Sequence, residues 1–254
     1  MQTVMMQAAA HAFPFLSDTA MVLAAGLGTR MRPLTDSVPK PLLTVGGRTM
    51  LDRAIDHLVA IGLRRVVVNA HYLADQIAAH VAKRTDVEII ISREDSILDT
   101  GGGVKKARGF FGDKPFFLLG GDMPFLDGPR ERALVRLAKA WDETKMDELL
   151  LLCPTGKARG FGPKGDFVME PDGRVWRKDA PIPRPMVWIS AQIVRPQLYD
   201  GIPEIVFSNN LIFNRTEATG RLFGIEHDGG CYHVGTPEDL HKANVLLDSG
   251  EGWG

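Results

Sequence analysis

At 254 residues, 44% of them apolar and 24% charged, the chain is long enough for a full core and is neither disordered nor fibrous in composition. Its formal charge of −1 gives no general attraction for nucleic acid, and no apolar run reaches the roughly 20 residues of a membrane helix. Its two cysteines, Cys153 and Cys231, lack metal-ligand spacing and suit a reducing cytoplasm, the expected location.

The first eighteen residues carry no lysine or arginine, which argues against a secretory leader, and residues 1–18 are expected to form a flexible extension. Met21 to Ala25 is an apolar run of strand length that passes directly into Gly26-Leu27-Gly28-Thr29-Arg30. Gly26 and Gly28 allow a sharp turn whose N–H groups approach an oxyanion, and Arg30 and Arg32 add fixed positive charge. Pro39 and Pro41 then stiffen the chain around Lys40, so its ammonium is held in place. The loop has no Gly-Lys-Ser/Thr ending, which excludes a P-loop. Met31 stands where a dinucleotide fingerprint needs its third glycine.

Thr49 has the character of an N-cap, and Leu51, Ala54, Ile55, Leu58 and Val59 recur at helical spacing until Gly62. Val66 to Asn69 reads as a strand, Ala74 to Lys83 as a helix, Val87 to Ile91 as a strand and Gly103 to Phe111 as a short helix. Pro115 to Leu119 is a fourth strand, Arg130 to Thr144 an amphipathic helix opened by Pro129, and Glu148 to Cys153 a fifth strand. This alternation predicts one Rossmann-like α/β domain over 19–254, with a mixed, mostly parallel sheet and helices on both faces. Ligands then bind at the C-terminal ends of the strands, where the glycine loop lies.

Past Pro154, four glycines and a proline between Thr155 and Gly165 predict a mobile loop over 155–165. A hairpin about Pro171-Asp172-Gly173 follows, then a strand over Met186 to Val194, a helix over Asn209 to Thr219 and a strand over Leu222 to Glu226. Cys231 to Val234 is the last strand, and Thr236-Pro237-Glu238 opens the final helix.

Two motifs beyond the first loop carry possible chemistry. Phe116 to Leu119 runs into Gly120-Gly121-Asp122, which sets an acidic side chain beyond a strand end with room for a ligand; Asp122 there can hold Mg²⁺ against phosphates or simply close a turn. Asp99-Thr100-Gly101-Gly102-Gly103 is a second glycine-rich turn, whose backbone groups are expected to read the edge of a base. Asn69 and Glu94 are weaker candidates for the same pocket. His71 and Tyr72 stand at a strand end, where packing is the plainer reading, and Trp188 on an inward strand reads as core.

LAAGLGTR followed by PKPLL resembles the signature of the sugar-1-phosphate nucleotidyltransferases, and GGDM resembles that family's glycine-aspartate metal site. The resemblance runs from about residue 20 to 247. ILDTGGGVKKA is most similar to the uridylyl-transferring branch, and the stretch from Phe207 to Leu240 resembles the group that acts on N-acetylmuramate 1-phosphate in cell-wall sugar recycling. Mannose-1-phosphate guanylyltransferases share most of these motifs, and a non-catalytic nucleotide-sugar binding subunit would share the fold.

The resemblance implies transfer of a nucleotidyl group from NTP, here UTP, to a sugar 1-phosphate with release of pyrophosphate. It implies Arg30 and Lys40 as catalytic groups, and Leu23, Ala24, Ala25, Gly26, Gly28, Thr29, Asn69, Asp99, Thr100, Gly101 and Gly102 around the nucleotide. Gly121, Gly165, Asp166, Trp188 and Ser190 are implied around the sugar. A divalent cation, Mg²⁺ or else Mn²⁺ or Co²⁺, is implied on Asp122. The partners implied are these small molecules, without nucleic acid or membrane, in a monomer or dimer. The chain departs from the family at Tyr232-His233-Val234-Gly235-Thr236, where His233 stands in place of an aspartate at the metal site. Imidazole is a poor match for Mg²⁺ and a better one for softer ions.

Overall fold

A computed structural model describes residues 13–177 and 184–253. Strand β1 (Thr19–Leu23) lies at the centre of the main sheet, where it is almost wholly buried. It is followed by two short strands, β2 (Thr44–Val45) and β3 (Arg48–Thr49), and by helix α1 (Met50–Val59), whose first turn is capped by Thr49 accepting from the Asp52 N–H. Next come β4 (Arg65–Ala70), α2 (Ala74–Val81), β5 (Glu88–Arg93), α3 (Asp99–Ala107) and β6 (Phe116–Gly120). β6, β1, β4 and β5 lie side by side and all pair in parallel.

The second half adds α4 (Ala133–Ala140), β7 (Glu148–Pro154), β8 (Ala158–Arg159), β9 (Phe167–Met169), β10 (Val175–Arg177) and β11 (Met186–Val194). Then follow α5 (Asn210–Ala218), β12 (Leu222–Glu226), β13 (Cys231–Tyr232) and α6 (Pro237–Asp248). β11 pairs antiparallel with both β6 and β7, which makes the sheet mixed as expected. Alternating residues of β1 enter two cores. Ala20 and Val22 meet Leu51, Ile55 and Leu58 of α1 on one face, while Met21 meets Val67, Val104 and Leu118 on the other.

Several boundaries differ from expectation. Residues 1–12 lie outside the described residues, but Phe13 to Asp18 are not a free extension: Leu16 is 2% exposed in the main core and the Ser17 N–H donates to the Pro115 carbonyl at 2.8 Å. Helix α4 is shorter than Arg130 to Thr144. The Asp127 carboxylate accepts from the Ala133 N–H at its start, and past Trp141 the Asp142 side chain captures the Thr144 N–H in a turn. Helix α3 starts at Asp99 instead of Gly103, which moves the second glycine motif into its first turn. Within 155–165, Ala158 and Arg159 pair with β13.

Glu148, fully buried at the start of β7, accepts from Gln192 Nε2 at 2.6 Å and from Thr216 Oγ1 at 2.9 Å. Loss of solvation pushes its carboxyl up to about 8 from an ordinary 4.5. The folded chain thus holds a proton there that the unfolded chain releases above about pH 4.5. This contribution to stability is full below that value and lost as pH rises toward 8. Glu148→Gln removes the titration while keeping the shape. Melting temperature measured from pH 5.5 to 8.5 should decline more steeply in the native chain than in Glu148→Gln; parallel declines would refute a proton held at Glu148.

Candidate active site

The loop after β1 is fixed before any ligand arrives. The Ala24 N–H donates to Asn69 Oδ1 at 2.7 Å, Asn69 Nδ2 donates to Glu94 Oε1 at 2.7 Å, and Glu94 Oε2 accepts from the Leu98 N–H at 3.1 Å. Asn69 and Glu94 are 2% and 5% exposed, so the ends of β1, β4 and β5 share one buried polar brace. Gly28 has φ +62°, and a Cβ there would stand 2.9 Å from Lys40 Cβ; no other residue suits both the turn and the close approach of the Pro39-Lys40-Pro41 segment. Thr35 Oγ1 donates to the Gly28 carbonyl at 2.8 Å, and the Tyr72 hydroxyl donates to the Thr35 carbonyl at 2.8 Å. Tyr72 therefore buttresses the loop from behind, while His71 is held by its Nδ1 contact with the Glu94 carbonyl at 2.9 Å.

Lys40 is buried and reaches across the strand ends to Asp122, with Nζ to Oδ2 at 2.7 Å. Gly121 makes that approach possible: its N–H donates to the Leu23 carbonyl, and a Cβ would stand 2.9 Å from the same oxygen. Arg30 is exposed, and no carboxylate pairs with it among the described residues. His233 lies beside this group. Its Nε2 and Arg30 Nη1 each stand 3.4 Å from where a Cβ on Gly235 would be, and its ring rests against Phe161 at 5.1 Å. Burial, and then the charges of Lys40 and Arg30, hold the His233 imidazole below its ordinary pKa, so it is neutral at pH 7.

Arg30 and Lys40 line one cavity of about 550 Å³, together with Leu23, Ala24, Ala25, Gly26, Gly28, Thr29, Asn69, Asp99, Thr100 and Asp122; His233 does not line it, but Gly235, two residues on, does. Gly101 and Gly102 do not line it. Their N–H groups both donate to the Phe207 carbonyl, at 2.9 and 3.0 Å, so the expectation that they read a base edge is corrected. Their lack of side chains serves packing: a Cβ on Gly101 would meet the Phe207 ring at 2.4 Å, and one on Gly102 the Ile205 carbonyl oxygen at 2.3 Å. Trp188 packs as core, its ring edge-on against Phe213 at 5.2 Å in an apolar cluster with Leu150, Leu152 and Phe167 and outside the cavity lining. Ser190, at φ +55° within the irregular part of β11, sits against Gly120 beside Asp122. Gly165 and Asp166 lie against Met186, with the Asp166 N–H donating to its carbonyl at 2.8 Å. Burial raises the Asp166 carboxyl, opposed by the nearby charge of Arg177.

Residues 20–162 match the family described as the MobA-like NTP transferase domain. Over 233 residues the chain is 40% identical to N-acetylmuramate alpha-1-phosphate uridylyltransferase of Caulobacter vibrioides, covering 90% of this chain and 96% of that protein. It belongs to the sugar-1-phosphate nucleotidyltransferases. A protein of the same name from Neisseria meningitidis serogroup B is 32% identical over 231 residues, covering 89% of this nucleotidyltransferase and 97% of the relative. The crystal structure of HddC from Yersinia pseudotuberculosis shares the fold, with a TM-score of 0.71 at 21% identity over 90% of this chain and 99% of that one.

The nucleotidyltransferase's donor set suits a hard divalent ion held largely by its substrates. Mg²⁺ keeps several waters and takes one or two carboxylates plus phosphate oxygens. Asp122 offers such a carboxylate, with a side chain 42% exposed to the cavity. No group of three or more potential ligands occurs among the described residues, and neutral His233 is a nitrogen donor that Mg²⁺ disfavours.

The two classes of glycine make opposite demands on substitution. Gly102→Ala adds helix propensity worth about 1 kcal/mol but drives a methyl into a backbone carbonyl, and overpacking of that kind costs about 1–3 kcal/mol. Nothing lies within 4 Å of a Cβ on Gly26. Urea unfolding should show Gly102→Ala destabilised and Gly26→Ala within about 0.5 kcal/mol of the native chain; equal stability of the two variants would contradict the packing at Gly102.

Proposed function

We propose that this nucleotidyltransferase joins UTP to N-acetylmuramate 1-phosphate, giving the uridine diphosphate sugar and pyrophosphate, as part of cell-wall sugar recycling. The observation that carries the reading is the Lys40–Asp122 pair set at 2.7 Å across from an exposed arginine and a glycine loop. The two relatives with this activity in their names, each matched along nearly its whole length, support the choice of base and sugar.

A phosphate oxygen of the sugar phosphate attacks the α-phosphorus of UTP, and the bond from that phosphorus to the β-phosphate oxygen breaks as pyrophosphate leaves. The nucleophile is already ionised at neutral pH, so no general base is required. Positioning and charge neutralisation carry the rate. The loop N–H groups and Arg30 hold the departing phosphates. Lys40 turns from Asp122 toward the α-phosphate and the incoming phosphate. A divalent ion, Mg²⁺ with Mn²⁺ or Co²⁺ as alternatives, would be held by Asp122 and would supply neutralisation of the triphosphate. Both cysteines are free thiols, in keeping with a cytoplasmic site of action, and no described helix is long and apolar enough to cross a membrane.

Pyrophosphate release should be measured with four nucleoside triphosphates against a panel of sugar 1-phosphates. UTP with N-acetylmuramate 1-phosphate should be the best pair, and Lys40→Ala should lose about 10²-fold or more of kcat/KM with little change in melting. Turnover favouring another base or sugar would overturn the substrate assignment, and near-normal turnover in Lys40→Ala would overturn the role of Lys40.

His233 completes the reading of the cation site. As a neutral side chain it adds no negative charge beside Asp122, leaving one protein carboxylate for the ion. His233→Asp supplies a second one. Titrating turnover with Mg²⁺ should show half-saturation at a several-fold lower concentration in His233→Asp than in the native enzyme; identical Mg²⁺ titrations would place His233 outside the cation site.

A further inference from the structure

The cavity has two unlike ends. Its cations among the described residues, Arg30 and Lys40, both belong to the end that also holds Asp122. The other end lies over β4 and β5 and is lined by Asn69, Glu94, Ile97, Asp99, Thr100 and Val206, with two carboxylates and no cation. Phosphates are repelled there. A flat, uncharged ring that carries N–H donors is suited to it, because carboxylates accept from donors and an aliphatic side chain covers a ring face.

Val206 comes from a part of the chain more than a hundred residues beyond the other lining groups. The segment that carries it, 204–207, is fastened to the first turn of α3. The Phe207 carbonyl takes the Gly101 and Gly102 N–H groups, the Phe207 N–H donates to the Leu98 carbonyl at 3.1 Å, and the Asn209 N–H donates to Thr100 Oγ1 at 2.8 Å. Lys105 Nζ donates to the Glu204 carbonyl at 3.0 Å. Asn209, at the head of α5, is itself fixed by the Tyr199 hydroxyl at 2.6 Å on its Oδ1. Between these ties Val206 is left 56% exposed although it lines the cavity, and Ile205 beside it is 69% exposed and lies outside the cavity. An apolar side chain held open to water by so many backbone bonds has surface still to bury.

We infer that Val206, held out by the backbone of the segment around it, is the base wall of the nucleotide site and covers one face of the uracil ring opposite the glycine loop. This rests on the nucleotide reading of the cavity given above. In this arrangement Gly101 and Gly102 are bare to admit that segment, and the base edge meets Asn69, Glu94 and Thr100 side chains instead of glycine amides.

Equilibrium binding of UTP and of pyrophosphate, and the KM of each substrate, should be measured for the native enzyme, Val206→Ala and Ile205→Ala. Removing the two methyls of Val206 should weaken UTP binding and raise its KM roughly tenfold. Pyrophosphate binding, kcat and the KM for the sugar phosphate should stay unchanged, and Ile205→Ala should behave as native throughout. Native UTP affinity in a folded Val206→Ala would overturn the base wall and leave the nucleotidyl transfer reading standing. A raised KM for the sugar phosphate alone would put the sugar at this wall and equally overturn it. Absence of any nucleotide binding by the native enzyme would overturn both.

Discussion

The ion pair between Lys40 and Asp122 joins the two segments that the chemistry needs, one from the loop after β1 and one from the end of β6. A pair whose carboxylate is 42% exposed adds little to stability, since solvent screens it and two side chains are immobilised. Its value is positional. Lys40 is fixed from three sides, by prolines before and after it and by Gly28 beneath its Cβ, so its ammonium cannot drift into solvent. The same contact keeps a buried cation compensated until phosphates arrive.

Behind that pair, the Asn69–Glu94 brace performs a different task. It satisfies the Ala24 and Leu98 N–H groups with buried side-chain oxygens, closing the ends of three parallel strands where backbone partners run out. A strand end that opens into a loop must find such partners or be wetted. Here the loop is held rigid, and its exposed glycine edge stays available to a ligand.

Unpaired charge is managed by burial on the far side as well. Glu148 is kept protonated within β7, β11 and α5 by loss of solvation, although two donors oppose the shift. His57, His227 and His233 are each held below the ordinary imidazole range, chiefly by burial. The protein therefore carries groups that burial keeps neutral on both faces of the sheet, and its stability is bounded at both ends of the pH range.

Much of this was legible in the chain alone. The strand-to-glycine turn at Leu23–Thr29, the lysine between prolines and the aspartate beyond Gly120-Gly121 follow from local rules: an apolar run, a φ that only glycine accepts readily, a proline-fixed backbone. Order and alternation of elements then fixed the fold class. The tertiary structure decided what local rules cannot reach. Gly101 and Gly102 looked like ligand-reading amides because sequence shows a missing side chain without showing what fills its space, and Phe207 and Ile205 fill it from over a hundred residues away. Trp188 read as core from its inward strand, but period-2 patterning gives a face and not its neighbours, and only the structure supplies Phe213. Val206 gave no signal at all in the sequence, for its place at the cavity is set by hydrogen bonds between the backbones of distant segments, and backbone partners carry no side-chain signature.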